Sequence, residues 1–221
     1  MKKFFLAVVM AALILPTMAQ KNKGEANVEA MPTEIKLPKP QRAGGMALYE
    51  ALNNRCTQRN FSKEPLSDQQ LSNLLWCAGG INREDGKLTS PTARNAQEIE
   101  IYVFKEDGVY LYLPKENALQ MIYKEDRRSE ISERSKMPAE APVTLLYYAN
   151  YEKMAGFDEP AREFYGATDA GFVSQNVYLF CAANKLNTVV MGAINRELLN
   201  DIIPGEGKAV LAQPVGYPAK K

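Results

Sequence analysis

The sequence predicts an α+β fold, and three observations carry that prediction. Val143 to Tyr148 is an unbroken apolar run, the pattern of a strand buried on both faces. Glu106-Asp107-Gly108 is a hairpin turn signal between two strand-like stretches, 98–104 and 109–113. The helical patterns do not alternate one for one with strands, which argues against a doubly wound sheet.

The elements follow in chain order. Lys2 and Lys3 precede an apolar run, Phe4 to Leu15, that Pro16 breaks before the small residues of Thr17-Met18-Ala19. This is the pattern of a cleaved secretory signal over 1–19, and the expected destination is the periplasm. The run is short for a membrane span, and no Cys follows it, so no stable membrane anchor is expected. Residues 20–44 read as a flexible linker, with Leu37-Pro38-Lys39-Pro40 favouring extended backbone. The stretch 45–221 is long enough for one domain with a core. A helix is expected over 46–54. Ser67 and Gln70 form a capping box that opens a helix through Leu71, Leu74, Leu75 and Ala78, and Gly79-Gly80 ends it. The strand 98–104 and its return strand 109–113 come next, then a polar helical stretch over 116–135. The longest helical pattern runs from Asp158 to Leu186, with Gly166, Ala170, Val173, Val177 and Cys181 near one face. Thr188 to Ile194 reads as a short strand, Asn195 as the cap of a short helix, and Lys208 to Gly216 as the final strand.

Composition excludes several chemistries. The chain has no histidine, which rules out Ser-His-Asp triads, Cys-His dyads and His-ligated metals. Its three cysteines, Cys56, Cys77 and Cys181, lack CxxC spacing, and an odd count leaves a thiol free in an exported chain. Cys77, Cys181 and the lone Trp76 lie in apolar helical contexts that suit core packing. A net charge of +1 with mixed signs argues against nucleic acid as the partner. No GxGxxG or P-loop is present, so a nucleotide-like cofactor needs another cradle.

Two segments suggest one. In Arg55-Cys56-Thr57-Gln58-Arg59-Asn60-Phe61, alternate residues place Arg55, Thr57 and Arg59 on one side of an extended stretch. Two fixed cations and a hydroxyl suit a phosphate monoester, although the same spacing fits a solvated basic loop. Thr89 to Glu98 is a loop of small and amide residues running into a strand. Such residues let a planar heterocycle approach the backbone and offer donors and acceptors to its edge.

The first segment resembles the R-x-S-x-R-x-F opening of the FMN-dependent nitroreductase-like family, with Thr57 where Ser is usual. Ser90 to Gln97 is similar to that family's P-S-x-x-N-x-Q element, with Arg94 where a small residue is common. Asp169-Ala170-Gly171 through Asn176 resembles its long central helix. Asn184 to Gly192 is similar to its G-L-x-x-x-x-x-G segment, departing from it at Asn184 to Asn187, and Val215 to Pro218 resembles its closing strand. The resemblance implies a mainly antiparallel central sheet flanked by helices, and a homodimer with FMN at the interface. It implies FMN contacts from Arg55, Cys56, Thr57 and Arg59 at the phosphate and ribityl chain. Asn95 and Gln97 would lie beside the flavin, Met191 and Gly192 would approach from a strand end, and Lys220 would join the phosphate. It implies hydride transfer through flavin N5 to a nitro, quinone or similar small acceptor, with NAD(P)H as a candidate donor. No side-chain base is needed for that transfer, so no catalytic residue is named. The alternative is an exported flavin- or ligand-binding module without reductase activity.

Overall fold

The computed structural model describes residues 34–220. The expected secretory signal and the first part of the expected linker lie outside them. The described chain forms β1 (Glu34–Lys36), α1 (Leu48–Asn54), α2 (Asp68–Gly79), β2 (Ile99–Lys105), β3 (Gly108–Leu113), β4 (Ala118–Tyr123), α3 (Met137–Glu140), β5 (Val143–Asn150), α4 (Glu159–Asn184), β6 (Asn187–Thr188), α5 (Arg196–Ile202) and β7 (Gly207–Gly216). The strands make one sheet in the order β1-β4-β3-β2-β5-β7-β6, and every described pairing is antiparallel. The α+β expectation holds.

The core follows from β5, whose residues are all buried. Leu145 and Tyr147 face a cluster with Leu74 and Leu75 of α2 and Val173 and Val177 of α4. Leu146 and Tyr148 face the opposite cluster with Leu199 and Ile203. The apolar residues of β5 therefore divide between two cores. Tyr147 keeps its hydroxyl satisfied by donating to Gln213 Oε1 at 2.6 Å, which a buried phenol requires.

The Ser67 capping box forms as expected, and Lys105 pairs with Gly108 across the hairpin. Asp158 caps α4 by accepting from the Ala161 N–H. All five expected apolar-face residues of α4 are buried. Gly166 lets α4 approach β5 closely, since a Cβ there would stand 2.9 Å from Ala149 Cβ.

Five expectations are corrected. The linker does not extend to residue 44: β1 pairs with β4, and the stretch after it is stitched to α2 by Gln69 donating to the Lys39 carbonyl and Asn73 accepting from Gln41 N–H. The helix expected over 116–135 is mostly absent. Ala118–Tyr123 is β4, because the outer edge of β3 needs a strand partner and pairing outweighs the helix preference of Ala, Leu, Gln and Met. The strand expected over 188–194 stops at Thr188 and resumes only as a Met191–Ala212 bridge. Its ladder breaks because the Val190 N–H is taken by the Tyr178 hydroxyl at 3.0 Å. Asn195 precedes α5 without capping it, its side chain donating instead to Glu133. Trp76 is only half-buried, with its indole N–H on the Ile81 carbonyl and Arg42 over its ring.

Gly166 and Gly171 separate packing from helix propensity, since a Cβ at Gly171 meets nothing within 4 Å. Gly171→Ala should raise stability by roughly 0.5–1 kcal/mol. Gly166→Ala should lower it, because the overlap with Ala149 exceeds the propensity gain. Urea denaturation midpoints check this, and equal shifts of one sign would contradict the close approach.

Candidate functional site

Helix α4 organises the site through two polar side chains. The first is Tyr178. Its ring lies under the Arg55 guanidinium, 5.4 Å from the centroid. Its hydroxyl bonds Thr57 Oγ1 at 3.0 Å and accepts from the Val190 N–H at the same distance. One buried phenol thus ties the chain after α1 to the segment after β6. That tie is doubled by Gln58 N–H on the Thr188 carbonyl and by Asn187 Nδ2 on the Asn60 carbonyl and Oδ1. Thr188 in turn donates to the Pro214 carbonyl of β7.

Arg55 is half-buried, Cys56 and Arg59 are exposed, and Thr57 is half-buried between the two arginines. Among the described residues, neither arginine pairs with a carboxylate. Lys220 is exposed at the end of the described chain. It follows Tyr217, whose carbonyl accepts from Ser62 N–H at 2.8 Å, so the C-terminal strand exit runs beside the 55–61 segment.

The second side chain is Asp169. It is 2% exposed and accepts the Ala93 N–H at 2.8 Å, pinning the loop after Ser90 to α4. That loop is strained. Arg94, Asn95 and Gln97 have φ of 52°, 55° and 52°, a left-handed cluster that costs on the order of 1–3 kcal/mol per residue. Thr92 Oγ1 accepts from Gln97 N–H, and Gln97 Nε2 reaches the Gly86 carbonyl and Asn95 Oδ1. Arg94 turns away to lie 4.5 Å from the Phe157 ring centroid and to donate to the Gly156 carbonyl.

Asp169 and Tyr178 are nine residues apart on α4, about 13 Å along the axis. No described contact joins Asn95 or Gln97 directly to the arginine set within one chain. The side chain of Met191 turns inward among Phe61, Ala141 and Val189. Gly192 is exposed and lines a separate surface cavity of about 450 Å³ with Arg134 and Arg196. A cavity of about 540 Å³ opens beside Gln97 over Ile99, Ile101 and Leu113 and takes none of the arginine set.

Sequence reasoning missed two residues. Tyr178 lay off the apolar stripe, and its signal is that a buried tyrosine hydroxyl needs partners. Glu98 was read as the polar start of a strand, yet it is fully buried. Burial and the neighbouring Asp169 push its carboxyl up to about 7. All three thiols are free, and burial pushes Cys77 up to about 11.

A family model described as Nitroreductase family matches residues 52–217. The chain belongs to the Nitroreductase family. Over 192 residues it is 31% identical to a Methanocaldococcus jannaschii protein that carries a provisional nitroreductase name, covering 83% of this chain and 96% of that one. A crystal structure from Ralstonia eutropha, also provisionally named a nitroreductase, superposes with a TM-score of 0.80 at 34% identity, covering 85% of this chain and 90% of that one. One from Anabaena variabilis, at 21% identity and a TM-score of 0.71 over 85% of this chain and 42% of that one, shares the fold alone. The nitroreductase protein is therefore an oxidoreductase of that type, with the nitroreductase fold.

Tyr178→Phe removes the hydroxyl and leaves the Val190 N–H without its partner. The variant should lose about 1–3 kcal/mol of stability, and the amides of 57–59 and 190 should exchange faster with solvent. Unchanged exchange at Val190 would contradict the role given to Tyr178.

Proposed function

We propose that this nitroreductase is FMN-dependent and reduces a nitro, quinone or similar small acceptor, with NAD(P)H as donor. The observation that carries the proposal is the pair of permanent cations, Arg55 and Arg59, unmatched by carboxylates and flanking a hydroxyl fixed by a buried tyrosine. Such a set fits a phosphate monoester, because arginine binds two oxygens at once and keeps its charge. When Tyr178 is the donor in its bond to Thr57, the Thr57 O–H is free to donate outward. Lys220 lies on the chain that runs back past Ser62 and would add a third cation.

Bound FMN supplies two-electron transfer through its N5 position. The chain's own residues bind and orient. Asn95 and Gln97 carry amides on a strained, pinned loop, and both donors and acceptors are available to the edge of a flat ring. The exposed backbone at Gly192 permits close approach of a ligand. Nothing in this set requires a side-chain base, in keeping with the missing histidine.

A homodimer fits the same surface. Leu48, Tyr49 and Leu52 of α1 and Phe164 and Phe172 of α4 are exposed, Tyr49 at 87% and Phe164 at 64%. The two helices pack together, so these side chains lie on adjacent elements. Because α1 ends at Asn54, a second copy covering it would sit next to Arg55. The 1–19 segment would direct export to the periplasm.

The purified protein should show a flavin absorption spectrum, release FMN on denaturation, bleach with NAD(P)H, and recover its colour with a nitroaromatic or quinone. A colourless protein that rejects added FMN would contradict the cofactor. A bound flavin that dithionite bleaches and NAD(P)H does not would contradict the proposed donor.

A further inference from the structure

Glu98 is the least comfortable side chain in the described chain. It is fully buried, and neither of its carboxyl oxygens has a hydrogen-bond partner. Burial penalises an ionised carboxylate there more than its own backbone N–H and the Lys153 cation relieve it. The other buried carboxylic acid among the described residues is Asp169, 2% exposed, and its presence raises the Glu98 carboxyl. Asp169 already uses Oδ2 to accept the Ala93 N–H. Two ionised carboxylates in buried contact repel, whereas one proton between them gives each a partner.

The surrounding charges do not relieve the pair. Lys153, on the turn after β5, is the nearby cation that acts on Glu98, but its Nζ is bound to Glu100 Oε1 at 2.8 Å. Glu100 itself accepts from Asn150 Nδ2 and the Tyr102 hydroxyl, so β2 adds a further carboxylate to the neighbourhood. Arg162, earlier on α4, lies over the Tyr151 ring, and its Nε has no acceptor, so it makes no bond to either acid through that atom.

We propose that Glu98 and Asp169 share one proton and that this pair is the pin holding the 92–97 loop to α4, with Glu98 and Asp169 acting as positioning residues for Asn95 and Gln97. In the closed state the Glu98 carboxyl donates to the Asp169 carboxylate, and Asp169 holds Ala93. The backbone gives the pin leverage. Gln97 is bonded to Glu98 in sequence, Ala93 is bonded to Asp169 in space, and the three left-handed residues lie between these fixed points. Loss of the proton puts two negative charges against each other, and the strained loop relaxes away from the helix. The pin is a property of the chain without ligand and does not rest on the flavin reading.

The sign follows from proton linkage. Glu98 keeps its proton to higher pH when folded, about 7, than an ordinary glutamate does in the unfolded chain. The folded state is then the better proton binder, so stability is highest near pH 5, falls as pH rises to about 7, and levels off above that. The experiment compares ligand-free full-length wild type, Glu98→Gln and Asp169→Asn. The thermal midpoint is measured from pH 5 to pH 9, and the protection factor of the Ala93 amide at pH 5.5 and 8.5, corrected for intrinsic exchange. Wild type should lose several degrees and most of its Ala93 protection across that range. Glu98→Gln keeps a donor toward Asp169, and Asp169→Asn supplies one toward Glu98, so both should hold the loop at pH 8.5 and flatten the dependence. A Glu98→Gln protein that tracks wild type with pH would overturn the shared proton. If it fails to fold, the same result in Asp169→Asn would do so. Ala93 protection that stays constant in wild type while stability falls would overturn the pin.

Discussion

Both halves of the candidate site hang on α4. Tyr178 fixes the arginine segment and the chain after β6, and Asp169 fixes the strained loop. Neither segment is regular structure, so neither would hold its geometry by backbone pairing alone. What keeps α4 in place is its apolar face, from Gly166 through Cys181, packed over β5 in one continuous core. The two side chains can act as fixed points because the helix between them cannot bend without opening that core. Function in this fold therefore begins as a packing problem.

The electrostatics divide along the same helix. Near Tyr178 the chain exposes unmatched cations. Near Asp169 it buries acids. The phenol serves the cationic end better than a charged residue would, since it orients Thr57 and supports Arg55 without neutralising either.

The parts of this arrangement that rest on local rules were legible in the sequence. The Ser67–Gln70 box, the Glu106–Gly108 turn, the apolar run of β5 and the small-residue face of α4 each state their structure within a few residues. The parts that rest on tertiary pairing were not. Ala118-Leu119-Gln120-Met121 prefers helix in isolation and becomes a strand only because β3 offers an edge. Glu34–Lys36 looks like tether until β4 is there to receive it. The strand expected at 188–194 is cut short by one hydroxyl on a helix ten residues earlier. Glu98 alternates with Ile99 as a surface residue should, and nothing local announces that a helix acid covers it. The arginine and amide segments were found from residue type and spacing. Tyr178, which holds one of them, became visible only with its partners.

The central claim is that Arg55, Thr57 and Arg59, held by Tyr178, form a phosphate site. Titrating the flavin-free protein with FMN and with riboflavin, which lacks only the phosphate, tests it directly. Two charge-assisted contacts of about 1.5–3 kcal/mol each predict a preference for FMN of at least about a hundredfold. In Arg55→Ala/Arg59→Ala that preference should collapse while riboflavin binding stays as it was. Equal affinity for the two flavins in the unmodified protein would contradict the account.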